Sequence, residues 1–405
     1  MVRNKRSESE QQVADLLQTA RESLGLSLAF MTRMDGTTQH LEVVDSSIPW
    51  VFRDGATQRQ ETSFCQAIMD GRLPAVIPDV RDFPEAMKLP AARMPRLRSF
   101  VSVPMVLSDG TVYGTFCAAG FAADKQLSKR DRALMEVLAR AASLIIEPGV
   151  RQRARNAEIE ARLRPVIDIG GPVVLLQPIV DLATRRRVGT EALSRFPSEW
   201  KLPPDRCFAD AGLIGERERL EVLALRGAGA HLGRVSGYVA MNVSPATLFT
   251  RDCIDVLERM PLDRVVLELS EHEPIEDYDA LKAVLAPLRA RGMRLAIDDV
   301  GAGFSSLRHI VITAPDVIKL DRSIVTGLSA DAVLPVVVKS LVDLARATGA
   351  QVVAEGVETE ADATTLARLG AGLGQGWHFG RATTCGDLRD EYPAEPVGAP
   401  AAAAR

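Results

Sequence analysis

The sequence predicts an α/β protein with two folded parts, an α/β unit that contains an antiparallel hairpin and a parallel β/α barrel after it. Over about residues 171–382, eight short apolar runs alternate with helix-length amphipathic segments, which is the rhythm of a β/α barrel. Before residue 147, two β-rich runs flank the tripeptide "SDG", a pattern typical of a tight hairpin. Together these observations place the chain in the α/β class.

Bulk composition limits the function classes. The chain has 405 residues, 46% hydrophobic and 25% charged, with a formal net charge of −4, so neither a nucleic acid polymer nor an anionic membrane is an expected partner. Five scattered cysteines without CxxC spacing argue against a disulfide framework or a zinc knuckle and indicate a reducing, cytoplasmic location. The N-terminal "MVRNKRSESEQQ" lacks the apolar core of a signal peptide, and no run approaches the roughly 18 apolar residues of a spanning helix.

The first part has a clear order of elements. Residues 9–25 form an amphipathic pattern that ends at a glycine, and residues 26–36 follow as a strand with an Asp-Gly turn. The hairpin "FVSVPMVLSDGTVYGTFCAAG" comes next as the strongest local signal. A helix over 127–147 follows, and Ser128 is its predicted cap.

Pro148 and Gly149 are predicted to interrupt the chain before a charged segment, "VRQRARNAEIEARLR". Its dense alternating charge with a thin apolar seam fits either a solvated connector helix or one strand of a coiled coil in a homodimer. The last residues are rich in Pro and Ala and are predicted to be disordered. The expected division is an N-terminal domain over 10–147, a connector helix over 148–165, a barrel over 166–390 and a disordered tail over 391–405.

Polar residues occur at or near the end of each apolar run of the barrel. In a β/α barrel the C-terminal strand ends converge on one face, so we expect these side chains to meet. Each alone is more simply a solvated residue or part of a turn, but eight successive runs repeat the placement. In chain order they are Gln177, Glu191, Asn242, Glu268, Asp298 with Asp299, Lys319, Glu355 and Gln375.

This set points to metal-assisted phosphoryl chemistry. It contains five carboxylates and no histidine, and oxygen ligands select hard cations such as Mg²⁺ or Mn²⁺. Five carboxylates exceed the charge of one divalent ion, which favours a site for two ions. The adjacent Asp298 and Asp299 would hold and bridge them, and Lys319 would steady a nucleophile or developing negative charge.

The segment from about 165 to 382 closely resembles the EAL family of cyclic di-GMP phosphodiesterases. The resemblance implies a modified barrel whose first strand is antiparallel, and hydrolysis of cyclic di-GMP to linear pGpG with two Mg²⁺ or Mn²⁺ ions. Its motifs stand in the family's order as "QPIVD", "EALSR", "NVSP", "ELSE", "DDVGAGFSSL", "IKLDRS", "AEGVE" and "QGWHFG".

The same resemblance implies roles for individual residues within and near these motifs. Lys319 and Glu355 would be catalytic and would serve the attacking water, while Glu271 and Glu358 would support the loop after the aspartate pair. Metal ligands would be Glu191, Asn242, Glu268, Asp298, Asp299 and Glu355, and substrate contacts would be Gln177, Glu191, Leu193, Arg195 and Gln375.

The motifs depart from the family pattern at a few positions. Ser270 replaces a threonine in "ELSE", Val300 and Ala302 replace an aromatic residue and a threonine in "DDVGAG", and Ala382 replaces a proline. No proposed ligand is lost. Two alternatives remain: an inactive or weak EAL receptor that binds cyclic di-GMP and signals, and an enzyme for another cyclic nucleotide or phosphodiester.

The N-terminal part resembles a GAF domain, on the segments "ETSFCQAIMDGRLPAVIPDVRDFP" and "SFVSVPMVLSDGTVYGTFCAA". This resemblance implies a GAF-like α/β sandwich around a central antiparallel sheet, with a sensory role, an unknown ligand and control over the barrel's activity. Within it, Cys65 is interpreted as a buried structural thiol, with a bilin or redox site as the alternative.

Overall fold

The computed structural model describes residues 6–48, 52–93, 97–270, 275–301 and 306–392. The chain forms two compact units that divide after Arg155. Among the described helices, none combines the length and apolar character needed to span a membrane.

The first unit consists of a six-stranded sheet with helices on both faces. Its first helix begins after Ser7, whose side chain accepts a hydrogen bond from the Glu10 backbone, and ends at Gly25 in a left-handed conformation. Its elements are α1 (Glu8–Leu24), β1 (Leu28–Met34), β2 (Thr38–Ser46), β3 (Thr57–Arg59), α2 (Phe64–Met69), β4 (Val76–Ile77), α3 (Pro84–Lys88), α4 (Pro90–Arg93), β5 (Ser99–Val106), β6 (Val112–Gly120) and the N-terminal part of α5 (Lys129–Asp168), which continues past the division after Arg155.

The sheet has the order β3-β2-β1-β6-β5-β4, and every neighbouring pair is antiparallel. Alternate residues face two separate cores. On one face, Met31 and Val103 pack with Leu17 of α1 and Met135 of α5. On the other, Phe30 and its neighbours pack against α2 and the segments after it. The predicted sandwich with a central antiparallel sheet is confirmed.

The second unit is a closed barrel of eight strands. Seven of the eight apolar runs of the sequence form strands, whereas the eighth, "GQGWHFG", overlaps the two-residue strand Leu373–Gly374 only at Gly374 and is otherwise turn and irregular structure. The elements are β7 (Val173–Asp181), β8 (Arg187–Arg195), α6 (Pro204–Leu213), α7 (Arg217–Gly229), β9 (Tyr238–Asn242), α8 (Pro245–Leu248), α9 (Arg251–Leu257), β10 (Val265–Ser270), α10 (Tyr278–Ala290), β11 (Arg294–Val300), α11 (Ser306–Thr313), β12 (Val317–Leu320), α12 (Arg322–Val325), α13 (Leu334–Thr348), β13 (Gln351–Ala354), α14 (Glu360–Leu369) and β14 (Leu373–Gly374).

Strand direction follows the modified barrel that the resemblance implies. β7 is antiparallel to both of its neighbours, β8 and β14. The other neighbouring pairs, from β8 through β14, are parallel. The predicted barrel with an antiparallel first strand is therefore confirmed.

The inside of the barrel is layered, because side chains on one strand face repeat every second residue. An apolar layer closes the lower end and includes Val266, Ala296, Val317 and Val353. Two residues further along the same strands stand Glu268, Asp298, Lys319 and Glu355. The apolar layer is thus the floor on which the polar residues rest.

One helix differs from the sequence prediction. The interruption expected at Pro148 and Gly149 is absent, since α5 is continuous from Lys129 to Asp168. Ile146 before these residues and Ile159 after them are both buried in apolar clusters. Packing on both sides overrides the poor helix propensity of proline and glycine.

The predicted tail falls largely outside the described residues. At its start, the backbone N–H of Tyr392 donates to the carbonyl of Arg185 at 2.8 Å, and Glu391 forms an isolated β-bridge with Arg186. Residues 393–405 lie outside the described ranges.

Candidate active site

The site is built around one buried lysine. Lys319 lies on β12 with its side chain 1% exposed. Its Nζ is 2.7 Å from an oxygen of Glu355, 2.9 Å from Glu268, 3.1 Å from Asp298 and 3.6 Å from Glu191. Four carboxylates from four strand ends therefore meet at one ammonium group, whose single charge does not balance theirs.

The carboxylates form two groups of three that share Asp298. Glu191, Glu268 and Asp298 offer oxygens that all lie within 4.8 Å of one another, and so do Asp298, Asp299 and Glu355. The first group is buried, whereas Asp299 and Glu355 in the second are partly exposed. A carboxylate common to two such groups has the position of a ligand that bridges two cations.

The backbone brings both aspartates to the same place. Asp299 has a φ of 59°, in the left-handed region that residues other than glycine rarely adopt. The pairing of β11 with β12 also shifts register between Ile297 and Val300. In a regular strand Asp298 and Asp299 would face opposite sides, so this local irregularity is what lets both join one group.

Three amide side chains surround Glu191. Asn242 Nδ2 donates to one carboxylate oxygen of Glu191 at 2.9 Å, and Gln375 Nε2 donates to the other at 2.6 Å. The same Gln375 nitrogen lies 3.1 Å from Gln177 Oε1, and Gln177 Nε2 donates to the carbonyl of Gly380 at 3.1 Å. Glu191 is thus held in one orientation by donors on both of its oxygens.

Burial and mutual repulsion change the proton affinity of this cluster. Burial raises the pKa of Glu268 well above its ordinary range and also raises the pKa of Asp298; the other carboxylates add to both shifts, and Lys319 opposes them. Burial, with repulsion from Asp298 and Glu191, raises the pKa of Glu355 to about 8 despite the attraction of Lys319. In Glu191 the lysine and two amide donors outweigh burial, so its pKa is lowered. Burial opposes the charge of Lys319, but the carboxylates raise its pKa.

A cleft of about 270 Å³ opens above these residues. Of the substrate contacts implied by the resemblance, Gln177, Glu191, Leu193 and Gln375 line it, and so does Glu358. Arg195 is not part of the lining; its guanidinium donates to the carbonyl of Ser194 at 2.9 Å.

Sequence reasoning missed three side chains of the cleft, those of Arg322, Thr326 and Trp377. Arg322 and Trp377 both line it, and Trp377 is 60% exposed with the guanidinium of Arg381 over its ring at 4.3 Å. Both lie inside motifs that the sequence displays, "IKLDRS" and "QGWHFG". They could have been identified from the sequence as a cation and a large aromatic ring that follow strand ends with polar or acidic residues.

A glycine sets the position of Arg322. Gly356 follows Glu355 with a φ of +66°, and a Cβ placed on it would lie 2.5 Å from the Cβ of Arg322. Only glycine permits both the left-handed conformation and this close approach. The backbone after β13 therefore passes directly against α12 at the edge of the cleft.

The structure describes two of the remaining residues singled out in the sequence and omits two others. Glu271 and Ala302 lie outside the described residues. Val300 is fully buried in the apolar cluster between the barrel strands and the surrounding helices. Ser270 keeps the hydroxyl of the usual threonine, and its Oγ donates to Asp299 at 3.3 Å.

Curated relatives match the barrel half of the chain. The probable cyclic di-GMP phosphodiesterase PdeB of Escherichia coli K12 is 30% identical over 236 residues, which cover 55% of this chain and 44% of that protein. The cyclic di-GMP phosphodiesterase PdeL of the same organism is 30% identical over 218 residues, 50% of this chain and 59% of PdeL. This chain thus matches only about half the length of these relatives.

Solved structures show the same fold. The chain superposes on the PaMucR phosphodiesterase in complex with c-di-GMP with a TM-score of 0.51 and 27% identity, over 56% of this chain and 98% of that one. The cAMP-bound EAL enzyme Bd1971 gives a TM-score of 0.51 at 19% identity, over 89% of this chain and 91% of that one. At that identity the second likeness concerns the fold alone.

Family models cover both units. The model of the GAF domain matches residues 7–147, and the model of the EAL domain matches residues 160–382, which is more than half of the chain. Both matches agree with the antiparallel sheet and the closed barrel described above. The chain belongs to the EAL domain family and carries a GAF domain before its EAL domain.

Proposed function

We propose that this chain is a metal-dependent phosphodiesterase that hydrolyses cyclic di-GMP to linear pGpG. The observation that carries the proposal is the pair of carboxylate groups that share Asp298 beside the buried Lys319. The phosphodiesterase names of PdeB and PdeL, and the c-di-GMP complex of PaMucR, support the same substrate.

The donor set fits two hard divalent cations. Every charged ligand candidate is a carboxylate, and burial, with repulsion from the neighbouring carboxylates, raises the pKa of Glu268, Asp298 and Glu355. Glu191, Asn242, Glu268, Asp298, Asp299 and Glu355 would hold the ions, Mg²⁺ or Mn²⁺. When bound, the ions would supply an activated water and charge compensation for the phosphate.

Side chains of the protein would position the attacking water, accept its proton and bind the phosphate. Lys319 and Glu355, 2.7 Å apart, would orient the attacking water, and Glu355 would accept its proton. Because pGpG keeps its phosphate on the 5′ side, the bond that breaks is the one from phosphorus to the 3′ oxygen. Arg322, the arginine in the cleft lining, would bind a phosphate, since a guanidinium donates two parallel hydrogen bonds.

Gln177, Leu193 and Gln375 line the cleft where the nucleotide would lie, and Trp377 offers an exposed ring for a guanine to stack on. Arg195 lies on the same strand face as Leu193, two residues further along β8. We assign Arg195 to the outer edge of the bound substrate. Glu358 borders the cleft and would support the neighbouring loop together with Glu271.

The receptor alternative rests on the altered loop "DDVGAG". Its clearest mark would be the loss of a ligand candidate, and the sequence retains every one of them. The GAF domain would regulate the activity in response to a ligand that we leave unassigned. We retain the domain limits 10–147, 148–165 and 166–390 and a homodimeric state as parts of the proposal.

Hydrolysis of cyclic di-GMP by the purified full chain tests the proposal. We expect pGpG to appear with Mg²⁺ or Mn²⁺ and to stop with excess chelator, and we expect Glu191→Ala to abolish turnover. A matched control is Glu160→Ala, which removes an exposed carboxylate on α5 that is not part of the cleft lining. Tight binding of cyclic di-GMP without product at saturating metal would overturn the hydrolase assignment in favour of the receptor.

A further inference from the structure

Two cysteines of the first unit are in direct contact. Cys65 on α2 and Cys117 on β6 are 52 residues apart, and their sulfur atoms are 3.3 Å from each other. Both are free thiols, 2% and 0% exposed. Because a disulfide needs a sulfur separation of about 2.05 Å, a small side-chain movement would suffice to close the bond.

The surroundings of the pair are polar, although the core around them is apolar. Cys117 Sγ lies 3.3 Å from the hydroxyl of Ser102 and 3.2 Å from that of Thr115. The Thr115 hydroxyl is in turn 2.8 Å from that of Thr32, which accepts a hydrogen bond from Gln39 at 3.2 Å. A purely structural thiol packs as a small hydrophobe and needs no such hydroxyl network.

The two sulfur atoms are not equivalent. The hydrogen bond from Cys117 lowers the pKa of the Cys65 thiol against the effect of burial, and the hydroxyls of Thr115 and Ser102 and the amide of Gln39 contribute. Burial raises the pKa of Cys117 well above its ordinary range. This difference favours Cys65 over Cys117 as the thiol that loses its proton.

We propose that Cys65 and Cys117 form a redox-active dithiol whose substrate is a hydroperoxide. The Cys65 thiolate attacks one oxygen of the O–O bond, which breaks, and Cys65 becomes a sulfenic acid. The other oxygen departs in an alcohol when the substrate is an alkyl hydroperoxide and in water when it is hydrogen peroxide. Cys117 then attacks the sulfenic sulfur, the disulfide forms and a second water is released. The two thiols together lose two electrons and two protons, which the peroxide takes up.

Cys65 lies on a short helix with a partly exposed end. α2, which carries Cys65, has only six residues, and its last residue, Met69, is 39% exposed. Its N-terminus is held by Ser63, whose side chain accepts a hydrogen bond from the Gln66 backbone at 3.1 Å. A helix this short is marginal without its packing, so local opening of α2 gives a small peroxide a route to Cys65.

Mass spectrometry of the full chain tests the proposal. The protein is treated with hydrogen peroxide, unfolded in the presence of N-ethylmaleimide and digested. We expect a peptide pair cross-linked through Cys65 and Cys117 that separates on reduction with dithiothreitol, while Cys253 stays alkylated as an internal control buried in the barrel unit. Full alkylation of both thiols after peroxide, or cross-links that involve other cysteines instead, would overturn the proposal.

Single substitutions separate the two roles. In Cys117→Ser, we expect dimedone to trap a sulfenic acid at Cys65 without a cross-link; in Cys65→Ser, we expect no dimedone adduct at Cys117. The control Cys253→Ser should leave the cross-link of the native pair unchanged. An adduct at Cys117 of Cys65→Ser equal to that at Cys65 of Cys117→Ser would contradict the assigned order. If a substitution prevents folding, the result on the unmodified chain decides alone.

Discussion

Replacement of Lys319 by methionine removes one positive charge from the centre of the site and keeps most of the side-chain volume. The five carboxylates of the site carry five negative charges when ionised, and two divalent ions with Lys319 would balance them to zero. The variant leaves one negative charge uncompensated in a place where water has little access. Because Lys319 contacts carboxylates and is not part of the cleft lining, we expect kcat to fall and KM to change little.

The size of the loss follows from the role that the lysine would have. A positioned group that assists proton transfer contributes typically 10²–10⁴-fold, which is about 3–5 kcal/mol of activation free energy at 1.36 kcal/mol per factor of ten. Removal of one partner from a buried ion pair also costs about 3–5 kcal/mol of folding free energy in the absence of metal. Activity should therefore be measured at saturating Mn²⁺, beside a thermal melt that shows the variant is folded.

The assay is pGpG formation over a range of cyclic di-GMP concentrations, with Lys339→Met as the matched control. Lys339 is an exposed lysine on α13 that pairs with Asp343, so its loss should leave kcat and KM unchanged. If Lys319→Met retained the kcat of the unsubstituted chain while folded and loaded with metal, the assignment of Lys319 to catalysis would be refuted.

Three further predictions concern the metal, the cleft and the backbone. Because the pKa of Glu355 is about 8 in the folded protein and 4.5 ordinarily, the metal-free protein should lose stability as the pH rises between these values. Bound Mn²⁺ should suppress that loss of stability. Equal melting curves in chelator at pH 6 and pH 8.5 would contradict this prediction. Arg322→Ala should raise KM for cyclic di-GMP, whereas Arg368→Ala, at an exposed position on α14, should not; a KM unchanged in the first would remove Arg322 from the substrate contacts. Gly356→Ala would place a Cβ on a left-handed backbone and 2.5 Å from the Cβ of Arg322, so it should destabilise the fold more than Gly215→Ala, where φ is +73° and no atom lies within 4 Å. Chemical denaturation measures the loss of unfolding free energy in each variant. Equal losses would show that the close approach to Arg322 relaxes freely.

The barrel was predictable because its signals are local. Each of the first seven apolar runs has strand length and most intervening segments have helix length, so seven strands followed from the sequence; the eighth run, "GQGWHFG", begins only at the last residue of β14. Strand direction leaves no mark in a run such as "VVLLQPIV", which pairs antiparallel on both sides. That feature came from resemblance alone. The continuous helix through Pro148 was missed for the opposite reason, because the packing of Ile146 and Ile159 is a property of the fold and not of the local sequence.

The polar residues were predictable as a set, since a barrel brings strand ends together and the period of two puts Glu268, Asp298, Lys319 and Glu355 one layer above the apolar floor. The distances between their side-chain atoms could not be predicted, because they depend on the stagger between strands. Lys319, for example, contacts Glu355 at 2.7 Å and Glu191 only at 3.6 Å. Arg322 and Trp377 were missed because they follow the strands and depend on how the loops fold back over the cleft.

The adjacent aspartates show why the last step needed a structure. Two neighbours on a regular strand face opposite ways, so strand geometry alone would separate the two carboxylates that the sequence assigns to one site. The left-handed conformation of Asp299 reverses that outcome at a cost of about 1–2 kcal/mol for a residue with a Cβ. Its backbone N–H donates to Asp298 at 2.9 Å, and the carbonyl of Val300 accepts from Asp321 at 3.0 Å, so hydrogen bonds hold the irregular turn on both sides. Backbone strain of this kind is retained where a site requires it, which is here the presentation of both aspartates to one group of ligands.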